Sequence, residues 1–169
     1  MHKPQARPSL SLAVCVSLAI FSAPAAWAAA TVKVSFPDPP RFTDAGNTPR
    51  DVANTTRDLA AHLSALGQKL LADGDVLTVE ILDIDLAGRI ESGRRGQVRI
   101  VNGRADWPSI ALRYTLAGAS PLAGEERIDD MDYQRGAGTL SSAEPLRYEQ
   151  RMLDEWFKAR LIDRKPAPR

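Results

Sequence analysis

The sequence predicts an α+β fold: a two-layer sandwich with a mostly antiparallel sheet of about five strands and two amphipathic helices on one face, in the order β-α-β-β-β-β-α. Three observations lead there. Two segments, one beginning near Thr48 and one near Pro145, repeat apolar residues at helical spacing. Several others are rich in β-branched residues or alternate apolar with polar ones, the period of a strand. Short Gly-containing turns join the later strands, whereas a helix separates the first strand from the second. A strand–helix–strand start favours parallel neighbours, and short turns favour hairpins. Two amphipathic helices on one face of such a sheet complete the layers.

Residues 1–28 read as a secretory signal peptide. Lys3 and Arg7 precede an apolar run from Leu10 to Phe21, and small residues follow, with cleavage expected after Ala28 or else Ala30. The run is well short of the roughly 20 residues that span a bilayer. Val14 stands where a lipoprotein signal wants a small residue, so Cys15 is expected to leave with the signal. The remaining chain, 29–169, is expected to form one domain. Without Lys3 and Arg7 the 22 basic residues become 20 against 21 acidic ones, and His62 is the one histidine left. That balance argues against a nucleic-acid partner. An exported domain without a disulfide must rest on its core, and a chain of this length can build one. With no second apolar run of spanning length, the expectation is a soluble periplasmic or secreted protein with no transmembrane segment after signal cleavage.

The segment "TVKVSFPDPPRF" alternates Val32, Val34 and Phe36 with polar residues and stops at Pro37, Pro39 and Pro40, as a short strand does. Thr48, Pro49 and Asp51 then form a helix start with a capping box. Val52, Thr56, Leu59, Leu63, Leu66 and Leu70 make one face of a helix running to about Leu71. "DVLTVEILDIDLAGRIESG" reads as one long strand, and a turn at Gly93–Gly96 returns the chain through "QVRIVN". "SIALRYTLA" follows as a strand with Ile110, Leu112, Tyr114 and Leu116 on one side. "GASPLAGEE" is expected to be a loop and "RIDDMDY" a weaker strand. The closing helix is expected to be capped by Ser141 with Glu144, or by Ser142, with Pro145 in its first turn. Leu146, Met152, Leu153, Trp156, Phe157 and Leu161 spread over one arc of it, and the Pro-rich "DRKPAPR" is expected to fray.

Four of these stretches, "DIDLAG", "ADWPSIALRY", "DDMDY" and "LRYEQRMLDEWF", occur in the order found in a family of exported bacterial proteins catalogued as domain of unknown function 3016, which the chain resembles from about Thr31 to Leu161. The resemblance implies a bacterial envelope or secreted location. It carries no activity, cofactor or partner.

The chemistry must therefore be read from the residues. A lone His62 beside the apolar stripe of the first helix, no G-x-S-x-G elbow and no cysteine after signal removal argue against serine and cysteine hydrolases. Zinc of the usual type lacks its ligands. Ca²⁺ or Mg²⁺ remains open, because both take carboxylate oxygens. Asp83 and Asp85 lie two apart on a strand and so share a face, and Asp130 and Asp132 repeat the spacing. If the strands are close, these four can converge on an ion or act as an acid/base pair. The simpler alternative is charge pairing. The hairpin register that sets Ile90 opposite Gln97 sets Asp83 opposite Arg104. Arg94 and Arg95 at the hairpin tip can present guanidinium forks to an anionic surface or merely solubilise a turn. Trp107, Tyr133 and the other aromatics can line a ligand pocket or form core. Glu149, inside the apolar arc of the last helix, needs a buried partner or a raised pKa, unless it reaches water. The expectation is a non-enzymatic accessory module binding an envelope protein or a small ligand, with no cofactor required. The alternatives are a carboxylate-based site on the four aspartates and an anionic-surface binder.

Overall fold

The computed structural model describes residues 29–93, 96–100, 106–135 and 146–166. The expected signal peptide, Arg94, Arg95, Arg104 and the expected cap at residues 141–145 lie outside them.

Eight elements run in chain order: β1 (Thr31–Ser35), α1 (Pro49–Leu70), β2 (Val76–Asp85), β3 (Arg89–Gly93), β4 (Gly96–Ile100), β5 (Ser109–Ala117), β6 (Leu122–Asp129) and α2 (Arg147–Phe157). The fold is the expected α+β arrangement. Four strands form one sheet in the order β1-β2-β5-β6, with β1 parallel to β2 and the other pairs antiparallel. β3 and β4 form a separate hairpin.

The predicted long strand thus breaks at Leu86–Gly88, and the reason is local. Gly88 takes a left-handed φ of 78°, which a strand does not accommodate. The neighbouring backbone groups are bound by side chains instead of a strand. The Ala87 carbonyl accepts from Arg99 Nε and the Gly88 N–H donates to Asp106. With the hairpin set aside, β2 pairs directly with β5.

The hairpin register also differs from expectation. Ile90 faces Arg99, not Gln97, and Asp83 stands opposite Ala111 of β5. β6 occupies "LAGEERID", of which "LAGEE" was expected to be loop, and the chain turns from Met131 on, where the expected strand "RIDDMDY" ran to Tyr133. Gly118 (φ 151°) lets a short turn reverse β5 into β6.

α1 starts as predicted. The Thr48 hydroxyl accepts from the Asp51 N–H, the Asp51 carboxylate accepts from the Thr48 N–H, and Pro49 opens the first turn. Its buried line is Thr55, Leu59, Leu63 and Gly67, while Leu70 is exposed. Gly67 is required there, because a Cβ would fall 2.0 Å from Val32 of β1. α2 begins at Arg147 with no side-chain cap and continues into a wider π-type turn, Lys158–Ile162.

Leu77, Val79, Ile81 and Ile84 of β2 and Ile110, Leu112, Tyr114 and Leu116 of β5 meet Leu59, Leu63, Met152, Leu153, Trp156 and Phe157 in one core. Fully burying each such side chain contributes about 1.5–3 kcal/mol. A bulge between Ile81 and Asp83 resets the alternation of β2. Thereafter Ile84 points inward, and Asp83 and Asp85 share the opposite, open face, as predicted. His62 Nε2 lies 2.7 Å from Asp154 Oδ1 and ties the two helices together.

Candidate functional site

On the open face, β2, β5 and β6 set their polar side chains in rows. Glu80, Arg113 and Glu125 lie across three strands, and Arg113 reaches both carboxylates (2.6 and 2.8 Å). In the next row, Ala111 stands between Asp83 and Arg127. The small alanine lets the guanidinium span it, giving 2.7 Å from Arg127 to Asp83, while the other nitrogen donates to Ser109 Oγ at 2.7 Å. Asp83 also accepts from the Thr43 N–H (2.8 Å) and the Thr43 hydroxyl (3.0 Å). Burial alone would raise its pKa, but the Thr43 bonds and the Arg127 charge together hold it below the ordinary aspartate value.

Asp85 is two residues away and behaves oppositely. Burial first, then the charges of Asp106, Asp44 and Asp83, push its carboxyl up, against a weaker pull from Arg127. Asp44 arrives here because its backbone bridges to β2: its N–H donates to the Ile84 carbonyl, and its carbonyl accepts from Leu86. Among the described residues, no cation forms an ion pair with Asp44, Asp85 or Asp106. The corner is acidic and only partly neutralised.

Two exposed apolar residues adjoin these segments in sequence. Trp107, next to Asp106, is 36% exposed, and Met131 is 62% exposed. They lie on either side of the hydrogen bond from the Asp130 N–H to the Pro108 carbonyl, which continues the β5–β6 pairing past the strand ends.

Three of the four aspartates weighed as a possible ion or acid/base cluster are engaged by separate arginines. Asp83 pairs with Arg127, Asp130 with Arg151, and Asp132 with Arg135 in the turn after β6. Among the described residues no group of three or more His, Cys, Asp or Glu is placed to hold a metal ion. Tyr133 is buried and packs edge-on against Tyr148 (4.8 Å between ring centres). Glu149 is fully buried and finds the partner its position demanded. Arg99 of β4 grips it with two nitrogens, at 3.1 and 2.6 Å. Arg94 and Arg95 lie outside the described residues.

Sequence reasoning missed Asp44, Asp106, Met131 and Arg127. Asp106 beside Trp107 was a signal, an acid next to an aromatic at the start of a strand. Arg127 was hidden by the misplaced sixth strand.

These features define a class: a two-layer α+β module whose open sheet face is a field of ion pairs ending in an acidic corner. Within that class, residues 30–159 match the family described as protein of unknown function, DUF3016, and the chain belongs to it. No curated protein matches the chain. Among the described residues no helix is long and apolar enough to cross a membrane.

Proposed function

We propose that this chain is an exported, non-enzymatic binding module of the bacterial envelope, and that the corner formed by Trp107, Met131, Asp85 and Asp106 docks a basic segment of a partner protein. One observation carries the reading: an exposed indole next in sequence to Asp106, whose charge, with that of Asp44, raises Asp85, where no cation forms an ion pair among the described residues. Trp and Met are enriched in the centres of protein interfaces, where an apolar anchor is buried and flanking charges select the partner. A lysine or arginine from the partner would relieve the repulsion that raises Asp85, so binding gains from a cost already present in the free protein.

Most other acids on the face are engaged. Asp83 is bonded on both oxygens, and Glu80 and Glu125 share Arg113, which leaves them poorly placed for acid/base work.

The test places a photoreactive phenylalanine analogue at position 107 in cells expressing the full chain. The expected result is one recurrent covalent adduct, recovered from the envelope fraction and lost when Asp85 and Asp106 are both changed to Lys. An adduct indifferent to that charge reversal, or a chain confined to the cytoplasm, overturns the reading.

A further inference from the structure

The four-stranded sheet has two edges, and they are unequal. β1 has five residues, carries Lys33, and is followed by Pro37, devices that blunt an edge. β6 has eight residues, no proline and no bulge. Its backbone directions follow from one bond. The Asp130 N–H donates to the Pro108 carbonyl, so in this register the even-numbered residues of β6 bond to β5. The N–H and C=O groups of Ala123, Glu125, Arg127 and Asp129 therefore point outward. Among the described residues, no other strand pairs with that edge.

The side chains along it are self-complementary. On the open face β6 presents Ala123, Glu125, Arg127 and Asp129, neutral and then alternating in sign. A second copy laid antiparallel about Glu126 sets Glu125 opposite Arg127 of its partner and Arg127 opposite the partner's Glu125. Ala123 then meets the partner's Asp129. Shifting by one step of the same parity either way stacks Arg127 on Arg127 or Glu125 on Glu125, which like-charge repulsion disfavours. All three registers align the outward backbone groups with one another, so the charges choose between them.

The other face fits as well. In this register Gly124 faces the partner's Ile128. Gly124 is bare because Tyr114 lies against it: a Cβ would come 2.8 Å from the tyrosine oxygen. A cleft of about 280 Å³ opens there, with Tyr114, Leu122 and Gly124 at its floor and Glu126, Arg160 and Arg164 among the charged residues around it. Because residues of β6 from both faces line it, the cleft runs along the strand's edge. The partner's Ile128, itself packed partly against its own core, would cover the mouth of this cleft. The two Glu126 side chains meet near the axis, but each already accepts from its own Arg160 and Trp156.

We infer that the chain forms a symmetric homodimer by antiparallel pairing of β6 with β6 of a second copy, making one continuous eight-stranded sheet. The interface is isologous, so each contact occurs twice. This inference does not depend on what the acidic corner binds.

Sedimentation velocity and concentration-dependent hydrogen exchange on protein purified from cells expressing the full chain test it. The expected result is a monomer–dimer equilibrium in which the Glu125 and Arg127 amides gain protection as dimer forms. Glu125→Arg should weaken the dimer about tenfold or more. The exchange pair Glu125→Arg with Arg127→Glu should associate with itself and not with the wild type, provided its circular dichroism is unchanged. A chain that stays monomeric at millimolar concentration overturns the inference. So does a dimer in which those two amides exchange freely, which would place the contact elsewhere. The exchange experiment stands on the wild type alone, should the charge variants fail to fold.

Discussion

Two arginine–carboxylate pairs, each joining segments far apart in sequence, show how one chemistry serves different ends. Arg99 and Glu149 meet at the base of the β3–β4 hairpin, where the glutamate side chain is 0% exposed and the arginine 16%. Arg127 and Asp83 meet on the open sheet face, where the arginine is 51% exposed and the aspartate 18%. Inside, the pair is part of a closed cluster. Arg99 also holds the Ala87 carbonyl, and Tyr133 and Tyr148 pack alongside. Outside, water screens the arginine, and the aspartate depends as much on Thr43 as on the charge. The buried pair fixes where the hairpin leaves the body. The exposed pair links β2 to β6 across β5, while the same aspartate holds the Thr43 loop.

The sharpest way to break this contrast is to remove one partner inside. Arg99→Met leaves Glu149 buried without compensation and should cost about 3–5 kcal/mol, measured by urea denaturation. Changing both residues, Arg99→Met with Glu149→Met, should recover most of that loss, since the penalty lies in the orphaned charge. If the single and double variants are equally destabilised, packing rather than charge holds the hairpin base.

A smaller effect is expected on the open face. Asp83→Asn keeps the shape and removes the charge, and should cost about 1–2 kcal/mol once screening of the exposed arginine is allowed for. Its pH dependence follows from the lowered pKa. The unfolded aspartate titrates near 3.9, roughly. The stabilisation is therefore complete above that value and disappears as pH falls through the lower folded value. The difference between wild type and Asp83→Asn should be constant from neutral pH to about 5 and close below about 4. A difference that persists at still lower pH would mean the contribution is not electrostatic.

Much of this was legible in the sequence, and the limits were physical. Thr48, Pro49 and Asp51 announced the first helix because capping is local chemistry. The shared face of Asp83 and Asp85 followed from strand alternation and survived the bulge, since the bulge precedes both. The break at Leu86–Gly88 was not legible: it depends on Arg99 and Glu149, distant in sequence, taking the backbone bonds a strand would have used. The last strand was expected at Arg127–Tyr133 and lies at Leu122–Asp129 instead, because "LAGEE" carries Gly124 and charges that look like loop. Those residues are explained only by the Tyr114 ring against the glycine and Arg113 and Asp83 beside the charges. The partner required by Glu149 could be anticipated as a need; its identity could not.

The smallest expected effect is the most informative about function. Asp85 has its folded pKa raised, so its ionised form is penalised in the fold. That penalty is full above the folded pKa and vanishes below the unfolded value. Asp85→Asn should therefore stabilise the protein by about 0.5–1 kcal/mol at pH 7, with the gain shrinking to nothing towards pH 4. This is the reverse of its neighbour two residues earlier, on the same face of the same strand. A carboxylate kept where it costs stability is what the proposed docking corner requires. If Asp85→Asn both stabilises the fold and weakens the adduct formed at position 107, the corner is a docking site maintained against the stability of the domain. If it stabilises without touching the adduct, Asp85 is a structural residue, and the partner reads Trp107 and Met131 alone.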